Sequence, residues 1–426
     1  MSMGNNKPTI LLGAGAAIDI KAPTTQKITE EIIKQDKYTN YSVKDVYGKC
    51  PTFSAIKKIY QHLEKNYLSK PNFEQVFHIL EMLASYNWVW FRNCKNPELF
   101  SLFAPFVVPI TNIVGHNEWN NLYSLINQCQ ADIMEMVYKY DVEYKDKKDS
   151  DYKWYKTFWN KFEGFDLFNL NYDTTIEQSL PNYCDGFVDV YGIDVKKFDP
   201  KTLFRKRCNY KVCHLHGSIV YYNYENYDAY EYKSGDMYKW NDASGVIEKI
   251  KDGAIKNNSS NQGGENIHIG PIITGLRKPD KLTVVPYNYY HHYLCTSILN
   301  NRSLLIVGYS FSDLYINDLI ERMNMLYGKN KRIVIITKWK PMSLKDVDGK
   351  VTKTFQCKEW DVGNHREYMF IERMLHDESF LPGVLDYTIQ KKTSFTSKNG
   401  DVKLFVYGFK NAVKYHRKEI VEFLTK

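Results

Sequence analysis

Ser303-Leu304-Leu305-Ile306-Val307, continued without a break by Gly308-Tyr309-Ser310-Phe311-Ser312-Asp313, is the stretch on which the fold turns. The first five residues form an apolar run of strand length. A strand apolar on both sides is covered on both faces, which is the habit of a parallel sheet. The run then stops at a glycine followed by hydroxyl-bearing residues and a carboxylate. In an open α/β sheet the carboxyl ends of the strands line the ligand crevice. A Gly and Ser turn there offers backbone N–H groups and hydroxyls to a phosphate or a ribose.

Outward from this stretch the pattern repeats. Phe165-Asp166-Leu167-Phe168-Asn169-Leu170, Tyr210-Lys211-Val212-Cys213-His214-Leu215 and Arg332-Ile333-Val334-Ile335-Ile336 read as further buried strands, and residues 8–18 as a first strand ending in a glycine turn. Helical segments separate them, which makes the chain α/β. Residues 51–145 look largely helical: Ala55, Ile56, Ile59, Tyr60, Leu63 and Tyr67 recur at helical spacing, as do Leu122, Leu125, Ile126, Cys129, Ile133, Met136 and Val137. Asn72 with Gln75 three residues on is a helix-start box before the stripe Val76, Phe77, Leu80 and Leu83. Charged residues 144–153 read as an exposed loop, and the Tyr-, Asp-, Asn- and Gly-rich residues 221–266 as a long polar loop ending in Asn257–Gly264. After Thr337 the strand–helix rhythm weakens. Residues 341–426 are read as a small C-terminal α+β extension, an interaction module whose last helix runs from about Asn411 to Leu424.

Composition bounds the function. The chain has 426 residues, 43% hydrophobic and 25% charged, as in a globular protein. Lys and Arg number 57 against 49 Asp and Glu, a mild excess of +8 with no arginine-rich tract, so nucleic-acid binding is permitted and not demanded. The 34 tyrosines include many at surfaces or interfaces. Ile10–Ile18 passes for the apolar core of a signal peptide, but Asp19 interrupts it and no polar cleavage region follows. No other apolar run approaches the ~20 residues of a membrane helix. The eight cysteines form no CxxC pair and read as reduced thiols, so a cytoplasmic, non-membrane protein is expected.

Polar groups gather at the strand ends. Gly13-Ala14-Gly15 follows the first strand, where glycine lets the backbone approach a phosphate. Ile18 stands where a dehydrogenase fingerprint wants a third glycine, and Glu30 and Glu31 fall in helical sequence, which disfavours an NAD-dependent oxidoreductase. No phosphate-loop lysine is present, which argues against an NTPase. Asn171-Tyr172-Asp173 closes the second strand; alone, Asn and Asp there are turn formers or helix caps. His214-Leu215-His216-Gly217-Ser218 closes the next. His214 and His216 share a side, with Cys208 and Cys213 nearby, yet the spacing is not that of a zinc site. An accessible imidazole before glycine reads better as a single base titrating near neutral pH.

Read in order, Gly13-Ala14-Gly15, Asn171-Tyr172-Asp173, His216-Gly217-Ser218 and Gly308–Asp313 resemble the sirtuin-like domains of bacterial anti-phage defence proteins, over about residues 8–337. The resemblance implies a Rossmann-type, doubly wound NAD+-binding sheet with a large helical insertion at 27–160, inside a domain spanning 1–340. It assigns catalysis to Asn171, which orients water at the nicotinamide-side ribose, and to His216 as the base. Gly13, Ala14, Gly15, Thr25, Asp173, Gly308, Ser310 and Phe311 take cofactor-binding places, and no metal is expected. Two departures matter. The paired cysteines that hold zinc in deacylase sirtuins are missing, and Ala22-Pro23-Thr24-Thr25 stands where those enzymes carry Pro-Asp-Phe-Arg.

The expected activity is therefore hydrolysis of NAD+ to nicotinamide and ADP-ribose, linear or cyclised, as an NADase of antiviral defence. Bond cleavage develops oxocarbenium-like charge while nicotinamide leaves readily, so the site has only to orient water and remove its proton. An unrestrained NADase would kill its host. An off-state set by homo-oligomerisation or a partner is thus expected, such as the HerA-type ATPase translocases or short Argonaute proteins that accompany the family. The alternatives are a non-catalytic NAD or ADP-ribose sensor, a sirtuin-type protein deacylase and a nucleic-acid-binding accessory subunit.

Overall fold

The computed structural model describes residues 7–34, 53–66, 70–87, 122–192, 194–205, 207–223, 236–251, 258–260, 266–275, 278–345, 351–356, 371, 394–397 and 399–426. Strand β1 (Thr9–Leu12) leads through two short 3-10 turns to helix α1 (Thr25–Lys34). Helices α2 (Phe53–Asn66), α3 (Phe73–Asn87), α4 (Leu122–Lys147) and α5 (Lys153–Trp159) precede β2 (Phe165–Asn169) and α6 (Thr175–Ser179). Next come β3 (Phe187–Asp189), β4 (Val195–Phe198), α7 (Pro200–Arg205), β5 (Tyr210–His214), β6 (Tyr221–Asn223), β7 (Met237–Trp240), α8 (Ala243–Lys251), β8 (Asn258–Ser260) and β9 (Asn266–His268). The last third carries α9 (Tyr287–Asn300), β10 (Ser303–Val307), α10 (Leu314–Tyr327), β11 (Arg332–Ile336), β12 (Lys340–Lys345), β13 (Val351–Gln356), β14 (Ser394–Thr396), β15 (Val402–Phe405) and α11 (Phe409–Thr425).

The principal sheet runs β14-β15-β11-β10-β1-β2-β5. Its strands pair in parallel except β14, which is antiparallel to β15. The chain moves from β1 through β2 to β5, then returns to the other side of β1 for β10, β11 and β15. That is the doubly wound order, with its switch point between β1 and β10. The register sets Leu12 beside both Val307 and Asn169, and Asn169 beside His214. The four strand ends are therefore flush, and the turns that leave them emerge at one level.

Alternation along the strands splits the core in two. Leu11, Phe168, Cys213, Leu304, Ile306, Ile333 and Ile335 face the helical insert, α9 and α10. Leu12, Leu167, Val212, Leu305, Val307 and Val334 face the aromatic side chains of α5 and α11. Both sides of each strand are apolar because both are covered. The Asn72–Gln75 box forms reciprocally: Gln75 N–H donates to Asn72 Oδ1 (3.1 Å) and Asn72 N–H to Gln75 Oε1 (2.9 Å).

Three segments differ from expectation. Residues 221–266 are not one loop: β6 and β7 join β3 and β4 in a four-stranded sheet, and α8 buries Val246, Ile247 and Ile250 against the insert. Apolar residues at helical spacing lie beneath a polar average composition there. Most of Asn257–Gly264 is outside the described residues, as are Tyr67 and Cys50, Cys94 and Cys357. Between 144 and 153 the helix runs on to Lys147, with Tyr144 fully buried and Tyr152 stacked on it at 5.6 Å. The charges that suggested a loop sit on the outer face. Finally, β15 and α11 join the principal sheet and its second core, with Phe409 ringed by Trp154, Tyr155, Phe158 and Trp159 at 5.3–5.7 Å. No described helix is long and apolar enough to cross a membrane.

Candidate functional site

The two glycine turns interlock at the switch point. Gly13 N–H donates to Val307 O and Gly15 N–H to Gly308 O, each at 2.9 Å. A methyl group on Gly13 would lie 2.5 Å from Gly308 O, and one on Gly308 2.2 Å from Ala16 N. Gly308 also holds a φ of 60°. The glycines thus let two backbones touch. The amides expected to receive a phosphate are, at Gly13 and Gly15, committed to the neighbouring turn. Ala14 begins a 3-10 turn, and Thr25 is exposed at the start of α1. Ser310 is exposed with its hydroxyl 3.0 Å from that of Ser312. Phe311 is buried at a φ of 54°, its carbonyl accepting from Asn317 Nδ2 at 2.8 Å.

Asn171 sits beside these turns, just past the end of β2. Its Nδ2 donates to Gly13 O (3.1 Å) and its N–H to Asn169 Oδ1 (3.0 Å). Its carbonyl meets His214 Nδ1 at 3.2 Å, while His214 Nε2 lies 2.7 Å from Glu177 Oε1. Burial pushes the Glu177 carboxyl up, but His214 outweighs it and the net is downward; burial lowers His214, and Glu177 lifts it above the ordinary imidazole value. Each partner favours the charged form of the other, and the contact anchors the loop. Both ring nitrogens of His214 are thus occupied, which makes it a supporting group.

Asp173 is wholly enclosed. It accepts from Tyr140 Oη (2.6 Å), Thr175 N (3.1 Å) and the Thr175 hydroxyl, so it caps α6 and braces the insert. Asp141, beside it, accepts from Thr174 N (2.7 Å) and Gln178 Nε2 (2.9 Å). Burial, then the Asp173 charge, pushes the Asp141 carboxyl up to about 7.

His216 follows β5. It is 6% exposed, its Nε2 is buried without a hydrogen-bond partner, and that atom lies 3.8 Å from Asp313 Oδ2. Burial above all, with Lys278 and His291 adding to it against Asp313, lowers the imidazole to about 3. It is neutral at pH 7, and it is neither accessible nor titrating near neutral pH as the sequence suggested, because burial disfavours the charged ring. Asp313 stays ionised: burial raises its carboxyl, but His216 and the Ile316 amide bring the net to about 2.

Sequence reasoning missed His291, Lys278 and the second role of Asp313. His291 is buried on α9 beside the Leu215 backbone, with the Tyr315 ring tilted against it at 5.6 Å. Nothing in the Tyr- and His-rich run 287–293 marks which imidazole turns toward the strand ends. Asp313, read from sequence only as the end of the Gly308–Asp313 turn, caps α10 through Tyr315 N (3.0 Å) and Ile316 N (3.3 Å).

Buried polar atoms are almost always satisfied. Here His216 Nε2 and Asn169 Nδ2 are not. Such a set fits a ligand rich in hydroxyls and amides, as NAD+ is. Among the described residues no group of three or more His, Cys, Asp or Glu is arranged to hold a metal ion.

No curated protein matches the chain. The family model described as SIR2-like domain matches residues 166–360, a stretch that holds Asn171, His216 and the Gly308–Asp313 turn and does not include the Gly13–Gly15 turn or β1. That match, which spans three of the four strands with flush ends, supports a sirtuin-like family and an NAD-related activity.

Proposed function

We propose that the protein hydrolyses NAD+ at the glycosidic bond, releasing nicotinamide and ADP-ribose. The observation that carries this is the placement of Asn171 and His216 past the ends of neighbouring strands, level with the glycine turns of the switch point. With the substrate bound there, its nicotinamide leaves with the bonding pair, and water adds to the ribose carbon and gives up a proton. Asn171, tethered to Gly13 O by its Nδ2, keeps its side-chain oxygen for that water or a ribose hydroxyl. His216, neutral and shielded, takes the proton. The Ser310 and Ser312 hydroxyls at the exposed rim face the phosphates and ribose. We further infer a role as an NAD-depleting effector of anti-phage defence, held in check by self-association or by a HerA-type or short-Argonaute partner.

The decisive assay is nicotinamide release from NAD+ by the purified protein, alone and in cells carrying its neighbouring genes. Asn171→Ala and His216→Ala are each expected to lower the rate at least ~100-fold, within the span of orienting and general-base effects. Parent-like release by both variants would sink the assignment.

A further inference from the structure

The two oxygens of Asp313 are divided between two tasks. Oδ1 accepts from the amides of Tyr315 and Ile316 and starts α10. Oδ2 is turned to β5 and lies 3.8 Å from His216 Nε2. That is too long for a hydrogen bond, and a movement of under ~1 Å would make one. The residue is itself held: Tyr309 Oη receives Asp313 N–H (3.2 Å), donates to Asp313 O (3.1 Å) and lies 3.0 Å from Asn317 Oδ1. The charged and titratable groups that act on His216 are Lys278, His291 and Asp313, and Asp313 alone among them is an anion.

We propose that Asp313 is the positioning residue of His216, holding the imidazole with Nε2–H toward Oδ2 so that Nδ1 is the nitrogen left to take a proton. An ionised carboxylate only accepts, so the nitrogen facing it carries the hydrogen. A buried acid that fixes the tautomer of a catalytic imidazole without being protonated itself is a recurring device. Here the orienting group is welded to a helix N-terminus, and the glycine turn before it sets its position. The inference rests on the reading of His216 as the base, but the tautomer can be read without turnover.

The variant is Asp313→Asn. Asparagine caps a helix nearly as well as aspartate, so the fold should be kept, checked by the thermal midpoint. Its amide, however, donates toward Nε2 and moves the imidazole proton to Nδ1. Imidazole 15N–1H NMR of the full chain, assigned with His216→Gln, should show the Nε2–H tautomer in the parent and in His291→Asn, and Nδ1–H in Asp313→Asn. With NAD+ as substrate, Asp313→Asn should lower kcat about 100-fold with KM within about threefold, and shift the acid limb of the pH profile. An Nδ1–H tautomer in the parent, an unchanged tautomer in Asp313→Asn, or a flipped tautomer with unchanged kcat would each overturn the proposal. A parent protein that leaves NAD+ intact but shows the expected tautomers would count against the hydrolase reading and not against this pairing.

Discussion

Gly308 is pressed against Gly15 and Ala16 in the left-handed backbone region, and two penalties meet on any side chain placed there. The conformation alone costs an L-residue about 1–2 kcal/mol. The contact at 2.2 Å cannot be relieved by a rotamer, because the neighbour is backbone. Gly400 provides the comparison, with a φ of 70° and nothing within 4 Å of an added methyl. Gly308→Ala should therefore destabilise by several kcal/mol more than Gly400→Ala, and lose NAD+ affinity as the turns part. Equal denaturant midpoints for the two variants would show that the turns are not interlocked in solution. The residue scale also shows where reading from sequence ends. Asn171 and His216 are legible because each closes an apolar run. Asp313 Oδ2 and His291 are not, because their partners lie on other strands and helices far along the chain.

Among elements, the same divide holds. The strands 165–169, 210–214, 303–307 and 332–336 appear where their apolar runs place them, since burial on both faces leaves no room for polar alternation. The strands of the second sheet are only three or four residues long, and carry no such signature. Helix α8 is concealed by polar neighbours. Strand β15 is hidden because Asp401 and Lys403 interrupt a run whose apolar part is only Leu404-Phe405-Val406. Helix α11, by contrast, is legible to within two residues at either end, while its station is not: its first residue, Phe409, fills the centre of an aromatic cluster. Phe409→Ala should cost about 3–5 kcal/mol of stability, as for other large core truncations. A loss under ~1 kcal/mol in urea unfolding would make α11 a peripheral attachment instead.

At the scale of the whole molecule, two buried groups bend stability with pH in opposite senses. The folded Asp141 carboxyl keeps its proton up to about 7 against 3.8 for the free side chain. Its contribution is fully present below about pH 4 and is lost as pH rises through 7. His216 is the reverse, lowered from 6.5 to about 3, so its contribution is present above 6.5 and fades as pH falls through 3. Asp141→Asn should gain on the parent protein as pH rises from 4 to 7, by up to about 4 kcal/mol at some 1.4 kcal/mol per pH unit. Denaturation series at several pH values would show this, and a constant difference between the two proteins would refute it.

The interlocked glycine turns join residues from the start of the chain to residues made some three hundred positions later. On a ribosome, β1 and its turn emerge early and wait without one of their two strand neighbours until β10 is clear of the exit tunnel. At ~5–20 residues per second that interval lasts tens of seconds. The crevice at the switch point is thus assembled late in the chain's own synthesis, and a chain broken off before Val307 has no crevice to open.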